Sequence, residues 1–162
     1  HTIAEQIGEG IGTVLEATVV AVGDATDELV RDAELLVVGG PTHIHGMSST
    51  RSRSGAVDRA ATEDDLDLDP DAEGPGLRDW FQGLADGGGR PAAAFDTRVH
   101  ATALMTGQAS KGIGKRLKGH GFELIVERES FFVDSSEHLE DGEAERARAW
   151  GRAVAQAAVS AR

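Results

Sequence analysis

A short apolar run followed by a polar loop constrains the fold of this chain more than any other feature. The run extends from Leu35 to Val38 within AELLVVGGPTHIHGM, residues 33–47. It contains β-branched residues and does not alternate with polar ones, as expected for a strand buried on both faces of a parallel sheet. Gly39-Gly40-Pro41 is predicted to end that strand abruptly. Because open parallel sheets bind ligands just beyond the carboxyl ends of their strands, the loop Thr42–Gly46 is a predicted binding site.

The rest of the chain alternates between helical and strand patterns. Apolar spacings of three to four residues and capping residues predict helices over 2–16, 27–32, 77–85, 107–118 and 141–161, and one from a cap at 48–50 to 61. Short apolar runs predict strands over 17–22, 34–38, 91–95, 122–126 and 130–133. This alternation predicts the α/β class, with a parallel sheet that helices cover on both faces. The pattern opens with a helix that has no strand before it.

Composition narrows the classes of function. The 162 residues predict one domain spanning 1–162, with the acidic stretch 62–76 as a solvated loop inside it. The formal net charge of −12 disfavours nucleic-acid binding, which needs basic surface. The absence of cysteine excludes disulfides, thiolate catalysis and cysteine-ligated metals. No segment has the pattern of a membrane span or a signal peptide, so we expect no membrane association and a cytoplasmic location.

Three short motifs resemble ligand-binding signatures but fit them poorly. The HxH motif at 43–45 follows a strand, as in metal-dependent hydrolases, yet no third ligand is suitably spaced. The DLDLD segment at 65–69 lacks the glycine and glutamate of a calcium loop. The GEGIG segment at 8–12 lies inside a helical pattern, so close packing of helix on sheet explains it better than dinucleotide binding. The sequence therefore predicts no metal site.

Seven segments in a fixed order carry a family resemblance. They are IAEQIGEGI (3–11), LLVVGGPTHIHGMS (35–48), GLRDWF (76–81), AAAFDTRV (92–99), ASKGIGKRLKGHGFELI (109–125), ESFFV (129–133) and DGEAERARAWG (141–151). Together they resemble the flavodoxin-like family, and more closely the small flavodoxin-domain proteins common in high-GC bacteria. The resemblance implies a doubly wound, five-stranded parallel sheet in the order 2-1-3-4-5 that binds FMN at the switch point. It makes the predicted strands at 17–22, 34–38, 91–95 and 122–133 numbers 2 to 5, the last of them in two pieces, and places strand 1 and the FMN phosphate loop before His1.

The resemblance also implies which residues contact the flavin ring. The first loop would consist of Pro41, Thr42, His43, Ile44, His45 and Gly46, and the second of Asp96, Thr97 and Arg98. A histidine of the first loop could stack on the ring, and a cationic imidazole would stabilise the reduced, negatively charged flavin. Arg98 could cover the ring, contact a substrate or pair with Asp96. No catalytic residue is implied, because the flavin carries the chemistry.

The function implied is FMN-dependent electron transfer to a partner protein or a small-molecule acceptor. Two alternatives stay open: a binding or structural module that holds no FMN, and a flavin enzyme such as an NAD(P)H:quinone oxidoreductase or a haem-pathway oxidase on the same scaffold. Neither the choice between carrier and enzyme nor the formation of a homodimer follows from the sequence. The aromatic residues Trp80, Phe81 and Trp150 stand at helical spacings and are predicted to be core.

Overall fold

The computed structural model of the protein describes residues 2–43, 46–47, 76–99, 108–134, 136 and 138–162. Its helices are α1 (Thr2–Ile11), α2 (Asp27–Asp32), α3 (Leu77–Gly83), α4 (Ala109–Gly119) and α5 (Glu143–Ser160), with a 3₁₀ turn at Val22–Asp24. Its strands are β1 (Leu36–His43), β2 (Gly46–Met47), β3 (Pro91–Val99), β4 (Glu123–Leu124) and β5 (Glu129–Val133). The helix predicted after 48–50 and the acidic loop at 62–75 lie outside the described residues.

A parallel sheet forms the centre of the fold. β1 pairs with β3 from Leu36 opposite Ala92 to Pro41 opposite Thr97. On its other side β3 pairs in parallel with β4 and then with β5. The short β2 runs antiparallel to the end of β1, and the order is β2-β1-β3-β4, with β5 beside β3. The predicted α/β class with a parallel sheet is confirmed, as are the two predicted pieces of the last strand.

Helices cover both faces of this sheet and create two separate cores. The first face carries α2, α3 and α4, whose apolar residues pack against Val38, Ala92 and Ala94. The second face carries α1 and α5, which enclose Phe95 and Phe131. As predicted, the aromatic residues belong to the cores: Phe81 is fully buried and Trp80 packs beside it, while Trp150 packs on the second face.

β1 and β3 both extend past the points where the sequence predicted their ends. The prediction that Gly39-Gly40-Pro41 stops β1 is wrong, because the strand continues to His43. The glycines are needed for packing instead: a Cβ on Gly39 would overlap the Phe95 ring, and one on Gly40 would lie 2.8 Å from Leu77 Cδ1. Proline is compatible with an edge strand, and among the described residues nothing pairs with the edge of β1 that faces away from β3 at Leu36–Pro41.

Residues 17–22 do not form the strand that their sequence predicts. Residues 17–21 are extended but belong to no strand, and Val22 begins the 3₁₀ turn. A strand is stable only when its backbone pairs with a neighbour, and a cavity separates this segment from the open edge of β1. The β propensity of Thr18, Val19 and Val20 therefore finds no ladder to join in the described part of the chain.

The first helix is shorter than predicted and its glycines serve a different contact. α1 ends at Ile11 rather than at residue 16. A Cβ on Gly10 would overlap the carbonyl oxygen of Arg148, and a Cβ on Gly151 would overlap that of Ile7. The glycines thus allow α1 and α5 to approach each other closely, so the prediction that they serve helix-on-sheet packing is wrong for Gly10.

Candidate functional site

The two loops predicted to form a site begin side by side at one edge of the sheet. β1 and β3 are parallel neighbours, with Gly40 opposite Asp96 and Pro41 opposite Thr97. Parallel neighbours lie about 4.8 Å apart, and their carboxyl ends point to the same edge. The structure therefore brings the predicted residues Pro41 and Thr42 next to Asp96 and Thr97. We call this edge the carboxyl rim, and define it by residues 41–43 and 96–99.

One helix holds both sides of the carboxyl rim. Thr42 Oγ1 accepts a hydrogen bond from the backbone N–H of Ala109 (3.1 Å), and Asp96 Oδ2 accepts one from the N–H of Ser110 (2.7 Å). A helix begins with N–H groups that have no partner within it, and its N-terminus favours negative charge. Since the N-cap residue Gln108 makes no capping side-chain bond, Thr42 and Asp96 cap α4 in its place. Their side chains position the rim.

The Asp96 carboxyl is the most enclosed polar group of the rim. Its residue is 0% exposed, and the second oxygen, Oδ1, has no hydrogen-bond partner among the described residues. The hydroxyl of Ser110 is equally buried and equally without a described partner. Buried polar atoms are normally hydrogen-bonded, and each one that is not requires a water molecule, an ion or a ligand group to explain it. Among the described residues, no group uses the remaining hydrogen-bonding capacity of these two side chains.

Arg98 supplies the positive charge of the rim. Its guanidinium carbon lies 5.1 Å from the centre of the Phe132 ring, which stands opposite it on β5. Stacking of a guanidinium on an aromatic face is favourable and restricts the side chain. Arg98 is therefore a cation held at the carboxyl end of β3, on the part of the rim farther from β1.

Sequence reasoning missed the ion-pair network that joins β5 to α5. Arg146 donates Nε to Glu143 Oε1 (2.9 Å) and Nη1 to Glu129 Oε1 (2.8 Å). Glu143 in turn accepts the backbone N–H of Phe132 (2.6 Å). The hydrogen bond to Glu143, followed by that to Glu129, raises the pKa of Arg146 above its ordinary value. The three-residue spacing of Glu143 and Arg146 at a helix start could have suggested their pairing, whereas the contact with Glu129 depends on the fold.

The remaining predicted site residues are described only in part. His43 and Gly46 are paired backbone positions of β1 and β2, while Ile44 and His45 lie outside the described residues. Within the ranges given above, no cluster of three or more histidine, aspartate or glutamate side chains could hold a metal ion.

A cavity of about 570 Å³ lies away from the carboxyl rim. It is bordered by α1, by residues 15–20 and by the open edge of β1 at 35–39. None of residues 41–43 or 96–99 lines it. Its volume is in the range of ligand pockets, and residues of both cores line it.

The arrangement of elements matches that of flavodoxins of known structure. The chain is 16% identical to a flavodoxin from the domain Archaea, with a TM-score of 0.63 over 98% of this chain and 89% of that one. It is 17% identical to oxidised flavodoxin 1 from Bacillus cereus, with a TM-score of 0.60 over 95% and 87%. It is 18% identical to a WrbA-like flavodoxin protein from Agrobacterium tumefaciens, with a TM-score of 0.59 over 100% and 90%. At these identities the likeness establishes the fold.

Sequence comparison adds no closer relative. No protein-family model matches the chain, and no curated protein matches it.

Among the helices that the structure describes, none combines the length and apolar character needed to cross a bilayer.

Proposed function

We propose that this chain, which has the flavodoxin-like fold, is a redox protein that binds FMN at the carboxyl rim. The observation that carries the proposal is the convergence of the two rim segments: Pro41 and Thr97 stand in register on adjacent parallel strands, and Thr42 and Asp96 are fixed to the start of the same helix. In doubly wound sheets this edge is where ligands bind.

The backbone groups at the rim are better placed to contact a flavin than the side chains of Thr42 and Asp96 are. The Thr42 hydroxyl already accepts a bond from α4, and the Asp96 side chain is enclosed. What they provide is rigidity, because a site is precise when other contacts hold its backbone. Asp96 Oδ1 and Ser110 Oγ, which have no partner among the described residues, support a role for a bound polar group or water at the rim. His43, Ile44, His45 and Gly46 complete the proposed first loop, and Thr97 and Arg98 the second.

Arg98 supplies positive charge at the rim that would favour a reduced flavin. A bound FMN would supply electron transfer through its isoalloxazine ring. The chain itself carries a formal net charge of −12, which opposes adding negative charge to a ligand. Arg98, whose guanidinium stacks on the Phe132 ring, provides positive charge at the rim and would offset this effect. No side chain has to exchange a proton for the chain to act as an electron carrier, which is the form of the proposal we favour over an enzyme.

The experiment is a titration of the full-length protein with FMN, followed by quenching of flavin fluorescence and by the melting temperature. Saturable binding with a rise in melting temperature supports the proposal. Arg98→Gln should weaken binding by about tenfold, or about 1.4 kcal/mol, and make the flavin potential more negative. Lys115→Gln, which removes an exposed charge from α4, is the matched control and should change neither. A protein that binds no FMN would refute the proposal and favour the module without flavin.

A second measurement separates carrier from enzyme. The FMN-loaded protein is incubated with NADH or NADPH and a quinone, and nicotinamide oxidation is followed by absorbance. We expect no turnover above that of free FMN. Rapid oxidation that depends on the protein would favour the quinone oxidoreductase instead.

A further inference from the structure

We infer that one exposed face of α4 is the docking surface for an acidic electron-transfer protein. This face carries Lys111, Lys115 and Lys118, which we call the lysine stripe. The inference rests on the proposed redox function, because it names the kind of partner with which the bound flavin would exchange electrons.

Positive charge is concentrated on α4 in a chain that is otherwise strongly acidic. The formal net charge of the chain is −12, yet residues 109–122 contain no acidic residue. All three lysines of the chain lie in α4, where Arg116 adds a fourth cation, and all four residues are exposed. Spacings of four and three residues place the lysines on one face of the helix, over a length of about 10 Å.

The stability of α4 does not explain the lysine stripe. Lys118 in the last turn suits the helix dipole, but Lys111 lies in the first turn, where positive charge is unfavourable. Lys111 and Lys115 are like charges four residues apart, and this arrangement is also unfavourable in a helix. Among the described residues, the ion pairs are made by arginine and histidine, and none includes a lysine. Charges that oppose the preferences of their own helix, with no compensating ion pair in the described part of the chain, indicate a function outside the fold.

The lysine stripe begins beside the carboxyl rim. Lys111 directly follows the two residues whose backbone N–H groups bind Thr42 and Asp96. The exposed Arg128 adds another cation at this end of α4, since it donates a hydrogen bond to Gln108 at 3.2 Å. A protein docked along the stripe would therefore lie within one helical turn of the proposed flavin site. Because electron transfer slows steeply with distance, this is a suitable place for a redox partner.

The small size of the lysine stripe favours an acidic protein over a nucleic acid or a membrane. Duplex DNA carries one negative charge per about 1.7 Å of its axis. It would extend beyond the stripe onto a molecule whose formal net charge is −12, and an anionic lipid surface would meet the same repulsion. A cluster of a few carboxylates on a folded partner matches the stripe in size. Complementary charges of this kind guide docking and raise the association rate.

The test measures electron transfer from a reduced, acidic [2Fe–2S] ferredoxin to the FMN-loaded protein by stopped-flow absorbance. Each encounter moves one electron from the cluster to the bound flavin, and no covalent bond forms or breaks. The lysine variant replaces the whole stripe: Lys111→Gln, Lys115→Gln and Lys118→Gln. The control variant removes three exposed cations elsewhere and changes the formal net charge by the same amount: Arg31→Gln, Arg152→Gln and Arg162→Gln.

The lysine variant should lower the second-order rate constant by about tenfold or more at about 20 mM salt, and the difference should shrink at about 500 mM salt. The control variant should lower it by about twofold at most. Both variants should bind FMN as tightly as the unaltered protein. The lysine variant should melt at the same or a higher temperature, because it removes unfavourable charges from α4.

Several results would overturn the inference. Equal rates for the lysine and control variants, with FMN bound in both, would contradict the docking surface and leave the proposed function intact, whereas failure of the unaltered protein to bind FMN would contradict both. A lower melting temperature of the lysine variant would show that the stripe stabilises the fold. Lysine-dependent binding to a short DNA duplex, or to vesicles of equal parts phosphatidylglycerol and phosphatidylcholine, would assign the stripe to nucleic acid or to a membrane if calorimetry at the same ionic strength showed it to be tighter than binding to the ferredoxin.

Discussion

The close approach of α1 and α5 yields a sharp prediction about stability. Gly10→Ala places a Cβ against the carbonyl oxygen of Arg148, which belongs to the backbone of α5 and has no room to move alone. The helices must separate by about 1 Å, and a gap of that size loses a quarter to a half of the contact energy across it. The loss falls on the inner face of α1, where Ile3, Ile7 and Ile11 are buried.

The magnitude follows from those three side chains. Burial of one isoleucine is worth about 1.5 to 3 kcal/mol, so losing a quarter to a half of three contributions costs about 1 to 4.5 kcal/mol. Alanine favours a helix over glycine by about 1 kcal/mol, which offsets part of the loss. We expect a net destabilisation of about 0 to 3.5 kcal/mol, equivalent to a melting temperature lowered by up to about 14 °C in a protein of this size.

The assay is urea unfolding followed by circular dichroism, together with the melting temperature. Gly119→Ala is the matched control, because Gly119 also lies in a helix but a Cβ there meets nothing within 4 Å. It should be neutral or stabilising by up to about 1 kcal/mol. Equal stability of Gly10→Ala and Gly119→Ala would refute the claim that contact between α1 and α5 requires a glycine at residue 10.

Two other substitutions test contacts that hold the carboxyl rim and the neighbouring strand β5 in place. Thr42→Val, which removes the acceptor for the Ala109 N–H, should destabilise the protein by about 1 kcal/mol and weaken FMN binding, and Thr42→Ser should restore both in a parallel urea and FMN titration. Arg146→Lys cannot contact Glu143 and Glu129 with the same fork and should cost about 1 to 3 kcal/mol by urea unfolding. Because the pKa of Arg146 is raised, its charge stabilises the fold at every pH below the unfolded pKa, and this stabilisation is lost only as pH rises through the folded pKa. The loss in free energy of unfolding caused by Arg146→Lys should therefore be equal at pH 6 and pH 9. A loss that disappears by pH 9 would contradict this.

Local sequence patterns were sufficient to predict the described helices and most of the described strands. Thr26 caps α2 as its position before the helix suggested, accepting the Leu29 N–H at 3.3 Å. The alternation of elements also predicted the parallel sheet, and therefore the meeting of the two rim segments at one edge. These features depend on periodicity and capping, which act over a few residues and can be read along the chain.

Strand ends and partners depended on residues distant in sequence. Gly39-Gly40-Pro41 reads as a strand terminator, yet the Phe95 ring and Leu77 occupy the space beside the glycines and β3 pairs with the backbone through Pro41. Residues 17–22 read as a strand, yet no neighbour pairs with them in the part of the chain that is described. A β-strand is defined by its partner, and no local pattern specifies where that partner lies.

The sequence by itself determined the class of fold and the edge of the sheet at which the two predicted loops meet, because both follow from the order of elements along the chain. Only the tertiary structure decided that Thr42 and Asp96 together cap α4, that Arg146 joins β5 to α5, and that both cores border one cavity. Those contacts join residues 11 to 67 positions apart, and distances of that kind are set by packing.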